Sequence, residues 1–273
     1  RNGKETFQAR KEVILSAGAV ASPQILQVSG IGRKETLNKY GIEVFSDLRG
    51  VGRNLQDHLQ IRTVYKVRNT VTLNKKVNSL FGLAKMGLEY LFLKRGPLTM
   101  PPSQLGAFAS TSKEYPSPNI EWHVQPLSLD KFGEPLHKFN AITPAVCNLR
   151  PKSRGHLELA SSSPTEAPKI YANYLNEKRD MQWMIEGIKK TREIFQTTPM
   201  QELNAEELQP GIKYTKNAEI EEFIKNESLS VYHPIGTCKM GEGDECVVDN
   251  HLKVKGISGL RVADASIFPS IIS

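Results

Sequence analysis

The sequence predicts a mixed fold in which an α/β part is joined to an α+β part. Two short apolar runs predict the α/β part, because the buried strands of parallel sheets are short and apolar. Residues 11–18 form the first run, which leads into a helix, and the second run ends in the polar group Asp264-Ala265-Ser266. Strand-like segments between residues 119 and 159 follow one another without a long helix, which predicts an antiparallel sheet.

The N-terminal segment has the pattern of a strand, two helices and a further strand. Ser22 and Pro23 predict a short helix over residues 23–28, with the serine as N-cap and the proline in the first helical position. A second helix over residues 34–40 should end at Gly41, and residues 42–45 should form a strand. The small residues around the first helix either let a ligand approach the backbone or only satisfy turn geometry, and both interpretations stay open here.

The middle of the chain predicts the α+β part. Residues 61–67 alternate apolar and polar side chains, which is typical of a half-exposed strand. Residues 77–94 have helical apolar spacing, and we expect their methionine and aromatic side chains to pack in the core. The apolar loop over residues 98–108 either lines a pocket or packs against the core.

Later segments continue the α+β pattern. Strands are predicted at residues 119–127, 141–149 and 155–159, and amphipathic helices at residues 177–196 and 217–226. His123 and His156 lie on these strands, and we expect neighbouring groups to satisfy them rather than a ligand.

Composition limits the functional classes. The formal net charge is +7, but the basic residues are scattered, which predicts a solvated surface rather than a nucleic-acid interface. The sequence has no apolar run long enough for a membrane-spanning helix. Its three cysteines, Cys147, Cys238 and Cys246, are widely spaced and odd in number, which suits a reducing compartment. Because the first residue is arginine, we expect the chain to be an internal piece of a longer protein.

The most informative stretch of the sequence begins at residue 232. It reads Tyr-His-Pro-Ile-Gly-Thr-Cys-Lys-Met-Gly over residues 232–241, then Val-Val-Asp at 247–249 and Leu-Arg-Val-Ala-Asp-Ala-Ser at 260–266. Near the N-terminus, residues 18–32 read Gly-Ala-Val-Ala-Ser-Pro-Gln-Ile-Leu-Gln-Val-Ser-Gly-Ile-Gly. In this order the blocks resemble the C-terminal half of the glucose-methanol-choline (GMC) family of flavin oxidoreductases.

The resemblance implies an architecture for the chain. It implies a partial FAD-binding, Rossmann-like lobe made of residues 1–58 and 228–273, and an antiparallel-sheet substrate lobe over residues 59–227. The family's Gly-x-Gly-x-x-Gly fingerprint has no match in this sequence, and the family's second site residue, an Asn or His, would follow Ser273. We therefore expect the isolated chain not to hold FAD, and stoichiometric yellow cofactor on it would contradict this expectation.

The resemblance also implies the site residues. His233 is expected to be the catalytic base, because imidazole accepts a proton near neutral pH. Gly236 and Thr237 are expected to let the loop fold tightly behind His233. The residues expected to meet the ribityl-pyrophosphate part of FAD are Asp264, Ala265 and Ser266. Asp264 alternatively caps the turn that follows it. Asp57 and His58 have the chemistry of a catalytic pair, but we interpret them as structural, hydrogen-bonded residues.

The implied reaction is the FAD-dependent oxidation of a primary alcohol or choline to the aldehyde. A choline site needs aromatic side chains and a carboxylate, for which the candidates are Trp122, Tyr232 and Glu121. The acceptor that reoxidises FAD, oxygen or a quinone-like compound, stays open. The expected location is the cytoplasm, and a peripheral membrane contact also stays open.

Two alternatives from other functional classes remain. The first is a non-catalytic binding protein that keeps the GMC fold. The second is a metalloprotein with the ligands His233, Cys238, Cys246 and His251. The sequence contains no Cys-x-x-Cys pair, so we expect no metal site.

Overall fold

The computed structural model describes residues 5–131 and 133–273, so the first four residues of the predicted 1–58 segment lie outside the described residues. The strands are, in chain order, β1 (Val13–Leu15), β2 (Ile31–Gly32), β3 (Ser46–Asp47), β4 (Leu59–Arg62), β5 (Val64–Lys66), β6 (Leu105–Ala109), β7 (Ile120–Gln125), β8 (Ala141–Asn148), β9 (His156–Glu158), β10 (Lys169–Tyr171), β11 (Glu206–Gln209), β12 (Leu229–Ser230) and β13 (Leu260–Val262). The helices are α1 (Gly18–Val28), α2 (Lys34–Lys39), α3 (Leu73–Val77), α4 (Leu80–Leu93), α5 (Lys178–Phe195), α6 (Thr198–Gln201) and α7 (Asn217–Glu227), with 3₁₀ turns at Pro97–Thr99 and Ala265–Ile267. Among these helices, none has both the length and the apolar character needed to cross a bilayer.

Two compact units divide the chain. Unit 1 contains the described residues up to Asp57, Pro151–Asn176 and Tyr232–Ser273, and unit 2 contains His58–Arg150 and Glu177–Val231. This division differs from the predicted boundaries in three places. Pro151–Asn176 was expected within residues 59–227, whereas His58 and residues 228–231 were expected in the FAD-binding lobe and lie in unit 2. Strand β9 explains the largest difference, because within the described part of the chain its one partner strand is β10, and its neighbour Gly155 forms a backbone bridge with Leu55 of unit 1.

Unit 1 is built on short parallel strand pairs. β1 pairs with β13 in the register Val13 to Leu260 and Leu15 to Val262, and β2 pairs with β3. Parallel pairing brings the carboxyl ends of β1 and β13 to the same edge, where α1 begins after β1 and Asp264 follows β13. A buried apolar cluster supports these elements and consists of Leu26, Ile31, Leu48, Val51, Cys238, Val247, Val248, Val254, Val262 and Ile267.

Helix α1 begins earlier than the sequence predicted. Its first residue is Gly18, so Ser22 is not the N-cap and Pro23 lies inside the helix. Ser22 serves another purpose, because its Oγ accepts a hydrogen bond from the Ala17 N–H (3.1 Å) and donates one to Asp264 (2.5 Å). The predicted start was wrong because the Ser22 hydroxyl bonds to Asp264, a residue far away in the sequence, instead of capping the helix.

Unit 2 is built on a seven-stranded antiparallel sheet, as the closely spaced strand patterns predicted. Its main order is β11-β5-β8-β4-β12, with β7 paired to β8 and β6 paired to β7. β4 and β5 are separated at Thr63, which faces Pro144 of β8 and donates from its Oγ1 to the Pro144 carbonyl (2.7 Å). All four residues of β4 are buried, so the prediction of a half-exposed strand over residues 61–67 was wrong.

Helix α5 covers one face of this sheet, and both α5 and α7 confirm the predicted amphipathic helices. Trp122 of β7 is 4% exposed, and its indole N–H donates to Thr191 Oγ1 of α5 (2.7 Å). A Cβ on Gly187 of α5 would lie 2.3 Å from a methyl group of Val146, so the helix packs directly on the strand. The predicted antiparallel sheet therefore has one apolar face under α5.

Three further predictions differ from the structure. Residues 42–45 form no strand, and the following strand is the two-residue β3. The helix predicted over residues 77–94 is found as α4 (Leu80–Leu93), and it begins later than predicted because Asn78 ends α3 and the Ser79 side chain caps α4. The apolar side chains of α4 were expected in the core, but Met86 is its one buried residue.

Candidate active site

The loop that carries His233 is bound to the chain segment before unit 2 begins. Gln56 and Ile235 form a backbone bridge in which each N–H donates to the other residue's carbonyl, at 3.1 and 2.9 Å. The Gln56 amide also contacts the end of the chain, since its Nε2 donates to the Pro269 carbonyl (3.1 Å) and its Oε1 accepts from Ile271 N–H (3.1 Å). Gln56 is therefore a buried connector that sequence reasoning missed.

The same loop runs alongside the turn at Ala265–Ile267. Backbone N–H groups of the loop donate to carbonyls of the turn in three pairs: Gly236 to Ala265 (3.2 Å), Cys238 to Ser266 (2.8 Å) and Met240 to Ile267 (2.8 Å). The two sequence blocks that contain the predicted site residues are thus neighbours in space. Because every second residue of the loop donates a backbone hydrogen bond to the turn, these bonds fix the position of the loop relative to the turn.

Asp57 holds the backbone of His233. Its Oδ1 accepts a hydrogen bond from the His233 N–H (2.8 Å), and its Oδ2 accepts one from the Tyr174 hydroxyl. Asp57 is 8% exposed, whereas the His233 side chain lies at the surface of unit 1. Tyr232, just before, has a φ of +62°, which is costly for a residue with a Cβ. We infer that the buried carboxylate offsets this backbone strain.

His58 has partners of its own. Its Nε2 lies 3.1 Å from the Leu149 carbonyl, and its own carbonyl accepts from Val231 N–H (3.1 Å). Both Asp57 and His58 are therefore buried and hydrogen-bonded, in agreement with the structural interpretation of this sequence pair. The link from Asp57 to His233 was not predicted, because the two residues are far apart in the chain.

Gly236 is required by two features of the loop. Its φ is +89°, and a Cβ at this position would lie 2.6 Å from the Asn54 carbonyl oxygen. The Asn54 side chain adds to the contact, because its Nδ2 donates to the Gly236 carbonyl (3.2 Å). Glycine therefore lets the loop approach the preceding segment closely, in line with the tight fold expected behind His233.

Thr237 supplies a hydrogen bond that the backbone of helix α1 cannot make. Pro23 has no N–H, so the Ala19 carbonyl, four residues earlier, lacks its helical donor. The Thr237 hydroxyl donates to this carbonyl at 2.6 Å, and Thr237 is fully buried. The proline of one motif and the threonine of the other are thus a matched pair.

Replacing Thr237 by valine, which has nearly the same shape, should lower the free energy of unfolding by about 1–3 kcal/mol, because the Ala19 carbonyl is left buried without a donor. Urea unfolding measures the change, and Thr237→Ser is the control that keeps the hydroxyl. In a Pro23→Ala background the backbone N–H returns, so the same valine change should cost clearly less. An equal cost in both backgrounds would contradict this pairing.

Asp264 connects the turn after β13 to the start of α1. Its Oδ2 accepts from Gly18 N–H (2.9 Å) and from Ser22, and its Oδ1 accepts from Ser266 N–H (2.8 Å). Burial by itself raises the pKa of Asp264, but the hydrogen bonds from Ser22, Ser266 and Gly18 outweigh it and hold the pKa below the ordinary value. The carboxylate therefore caps the turn, and a direct cofactor contact by Asp264 stays a prediction.

A depressed pKa makes part of the stability depend on pH. The stabilisation by Asp264 is present above the ordinary pKa of the carboxyl group and is lost as the pH falls through the lower folded-state value. Asp264→Asn should therefore lower the free energy of unfolding by about 1–2 kcal/mol at neutral pH. This difference from the parent should shrink as the pH falls from about 5 to about 2. Urea midpoints across this range test it, with the exposed Asp244→Asn as the control at neutral pH. A difference that is constant with pH would contradict the assignment.

The edge beside Asp264 has room for a ligand. Gly18 has a φ of +87°, and a Cβ placed there would have no atom within 4 Å. Ala17 and Ala19 flank this glycine, and Ala265 follows Asp264. Small residues and open space at the carboxyl ends of β1 and β13 fit the approach of an extended cofactor to the backbone.

The residues of the alternative metal site do not form a cluster. Across residues 5–131 and 133–273, no group of three or more His, Cys, Asp and Glu side chains is placed to hold a metal ion. Cys238 is fully buried, and burial raises the pKa of its thiol to about 12, so it is protonated at neutral pH. Among the described residues, the four candidate ligands are therefore not brought together, so this structure gives the metalloprotein alternative no geometric support.

The candidates for a cation site differ in their surroundings. Trp122 is buried under α5, so its ring faces cannot meet a ligand and this candidate is withdrawn. Glu121 lies 3.1 Å from Nε2 of His123, whose Nδ1 is 3.4 Å from Gln60 Oε1. His123 is satisfied by these neighbours, as expected, and Tyr232 is exposed.

His156 is also satisfied by its surroundings. Its ring stacks on Tyr171 with 4.7 Å between centroids, and its Nε2 lies 3.5 Å from Glu158. Burial and the nearby Arg53 lower its pKa, which favours the neutral ring. The expectation for both strand histidines is therefore met by the contacts.

Comparisons with known proteins agree with this geometry. A family model described as GMC oxidoreductase matches residues 1–60 in its N-terminal form and residues 151–273 in its C-terminal form. An oxygen-dependent choline dehydrogenase from Klebsiella pneumoniae subsp. pneumoniae is 40% identical over 265 residues, which is 97% of this chain and 48% of that protein. The chain thus spans about half the length of the curated relatives that it matches.

Solved structures show the same fold. A formate oxidase from Aspergillus oryzae RIB40 has a TM-score of 0.88 at 28% identity, covering 96% of this chain and 51% of its own. An FAD-dependent oxidoreductase from Chaetomium thermophilum has a TM-score of 0.86 at 27% identity, covering 99% of this chain and 53% of its own. The predicted combination of an α/β part and an antiparallel-sheet part is confirmed.

Proposed function

The chain belongs to the GMC oxidoreductase family, and we propose that it supplies the catalytic base and part of the FAD site of an enzyme that oxidises an alcohol. Choline, or a primary alcohol that resembles it, is the proposed substrate. The support for choline is the group of relatives named oxygen-dependent choline dehydrogenase, which are 37–40% identical over almost the whole of this chain.

One structural observation carries the proposal. The backbone of His233 is held by the buried Asp57, and the loop that follows it is bonded along the turn Ala265–Ile267. A surface imidazole on a fixed backbone is what a general base requires, because its distance to a bound hydroxyl is then defined. The loop that carries His233 is therefore fixed to the turn that lies beside the open edge at Gly18.

The proposed chemistry divides between the chain and its cofactor. FAD, when bound, supplies the acceptor for the hydride that leaves the alcohol carbon, since no side chain can accept hydride. A ring nitrogen of His233 takes the hydroxyl proton. The backbone at Gly18, Ala265 and Ser266 is proposed to hold the phosphate-bearing part of FAD, with the Asp264 carboxylate fixing the turn between them.

Recognition of a quaternary ammonium group requires a carboxylate or an aromatic face. Glu121 and Tyr232 are separate candidates for such a contact. Glu121 is held by His123, which positions a carboxylate on a β-strand, and Tyr232 is exposed beside the proposed base.

The test uses the natural protein that contains these residues. We expect it to carry FAD, and we expect anaerobic choline to bleach the flavin absorbance faster than ethanol does. Readmitting oxygen, or adding a soluble quinone without oxygen, then shows which acceptor restores the colour. Bleaching by ethanol and not by choline would overturn the choline assignment. A protein that binds choline but carries no flavin would favour the non-catalytic alternative.

A further inference from the structure

Helix α4 has its apolar face on the outside. This helix belongs to unit 2, and its Met86 is 7% exposed, while Phe81, Leu88 and Phe92 are 81%, 56% and 78% exposed. At about 100° per residue these three side chains lie on the face opposite Met86. The outward face is therefore the more apolar one, which is the reverse of a helix that covers a core.

The exposed apolar area extends beyond this face. Further exposed side chains on α4 and on residues 94–100 are Leu80, Leu83, Leu91, Leu93, Leu98 and Met100. Single exposed apolar residues are common, but a run of this length on one helix and the segment that follows it marks an interaction site. We call α3, α4 and residues 94–100 the α3–α4 surface.

Basic side chains border this surface. Lys75 and Lys76 of α3 and Lys85 of α4 line an open cavity of about 410 Å³, whose wall also includes Phe81, Met86 and Glu89. Lys94 and Arg95 follow at the end of α4. Glu89, the one acidic residue of α4, is paired with Arg95 at 3.4 Å, so its charge is offset within the surface.

We propose that the α3–α4 surface binds an anionic phospholipid bilayer. A lipid surface offers negative phosphates next to an apolar interior, which matches lysines beside exposed phenylalanine and leucine. The lysine-lined cavity takes a lipid phosphate, and Phe81, Leu88 and Phe92 enter the acyl boundary. A second copy of the chain fits less well, since a symmetric contact would bring the same basic groups together. Binding by this surface does not depend on the proposed flavin chemistry.

The experiment measures co-sedimentation of the 273-residue chain with vesicles. One set contains phosphatidylcholine alone, and the other contains phosphatidylglycerol as a minor component. We expect binding to the anionic vesicles that weakens with added salt. Each lysine contributes about a fivefold change in partitioning, so Lys75→Glu, Lys76→Glu and Lys85→Glu together should weaken binding by roughly 100-fold or more.

A second variant tests the apolar part of the surface. Phe81→Ser with Phe92→Ser removes two rings that are 81% and 78% exposed, and it should weaken binding by at least about tenfold. The matched control, Lys113→Glu with Lys178→Glu and Lys189→Glu, changes the same net charge at exposed positions of unit 2 and should retain binding. Circular dichroism and thermal unfolding check that each variant is folded.

Several outcomes would overturn the proposal. One is equal binding to neutral and anionic vesicles, and another is equal loss in the control variant. A dimer in analytical ultracentrifugation that the serine variant abolishes, without vesicle binding, would assign the surface to a second copy. The measurement is repeated on the full natural protein that contains these residues. Loss of binding there would show that other parts of that protein cover the surface.

Discussion

Replacing His233 by alanine in the natural protein that contains these residues is expected to lower kcat for the proposed alcohol oxidation by about 10²–10⁴-fold. The reason is that the hydroxyl proton must leave as the hydride leaves, and the alanine side chain cannot take it. The FAD content should stay at the parent level, because the backbone bonds of the loop to Ala265–Ile267 do not involve the imidazole. Steady-state oxygen uptake and the flavin spectrum measure the two quantities on the same sample.

The matched control for this change is His251→Ala. His251 is exposed and belongs to the same unit, and its backbone N–H is bonded to the Asp249 carboxylate. We expect parent-level kcat and FAD content in this variant. The assignment of His233 as the base fails if His233→Ala oxidises the substrate at the parent rate. If both variants lose FAD, the effect is on cofactor binding and not on the proton transfer.

Replacing Asp57 by alanine is expected to have the largest effect on stability. The change leaves the His233 N–H and the Tyr174 hydroxyl without the buried carboxylate that they share, which should lower the free energy of unfolding by about 2–5 kcal/mol. Activity should fall as well, by roughly 10- to 100-fold, because the proposed base, His233, is no longer held at a defined position. Urea unfolding and kcat at a temperature where the variant is folded measure the two effects.

Two milder variants separate positioning from general stability. Asp57→Asn keeps an oxygen that can accept from the His233 N–H, so it should recover most of the lost kcat. Tyr174→Phe removes only the hydroxyl that bonds to Asp57, so it should cost about 1 kcal/mol of stability with little change in kcat. If Tyr174→Phe and Asp57→Ala lower kcat equally, the effect is structural and Asp57 is not a positioning residue.

Where local pattern carries the information, the sequence predicted the structure well. Helix α5 was expected at residues 177–196 and is found at Lys178–Phe195, because its apolar stripe and acidic first turn are properties of the segment itself. Strand β8 was expected at residues 141–149 and is found at Ala141–Asn148. The motif blocks were likewise readable as sequence.

Contacts between distant residues were not predictable in the same way. The roles of Ser22, Thr237 and Asp57 depend on partners more than 170 positions away, and no local pattern names such a partner. The sequence does contain signals that could have raised the question. Pro23 inside an apolar helical pattern implies a carbonyl that needs a donor from elsewhere.

By itself, the sequence determined the family, the composition of the two motif blocks and the type of most helices and strands, since these depend on side chains that are neighbours along the chain. Only the tertiary structure decided that Trp122 is buried under α5 while the equally apolar α4 faces outward. The physical reason is that apolar spacing tells which side chains share a face, whereas burial of that face depends on whether another element packs against it.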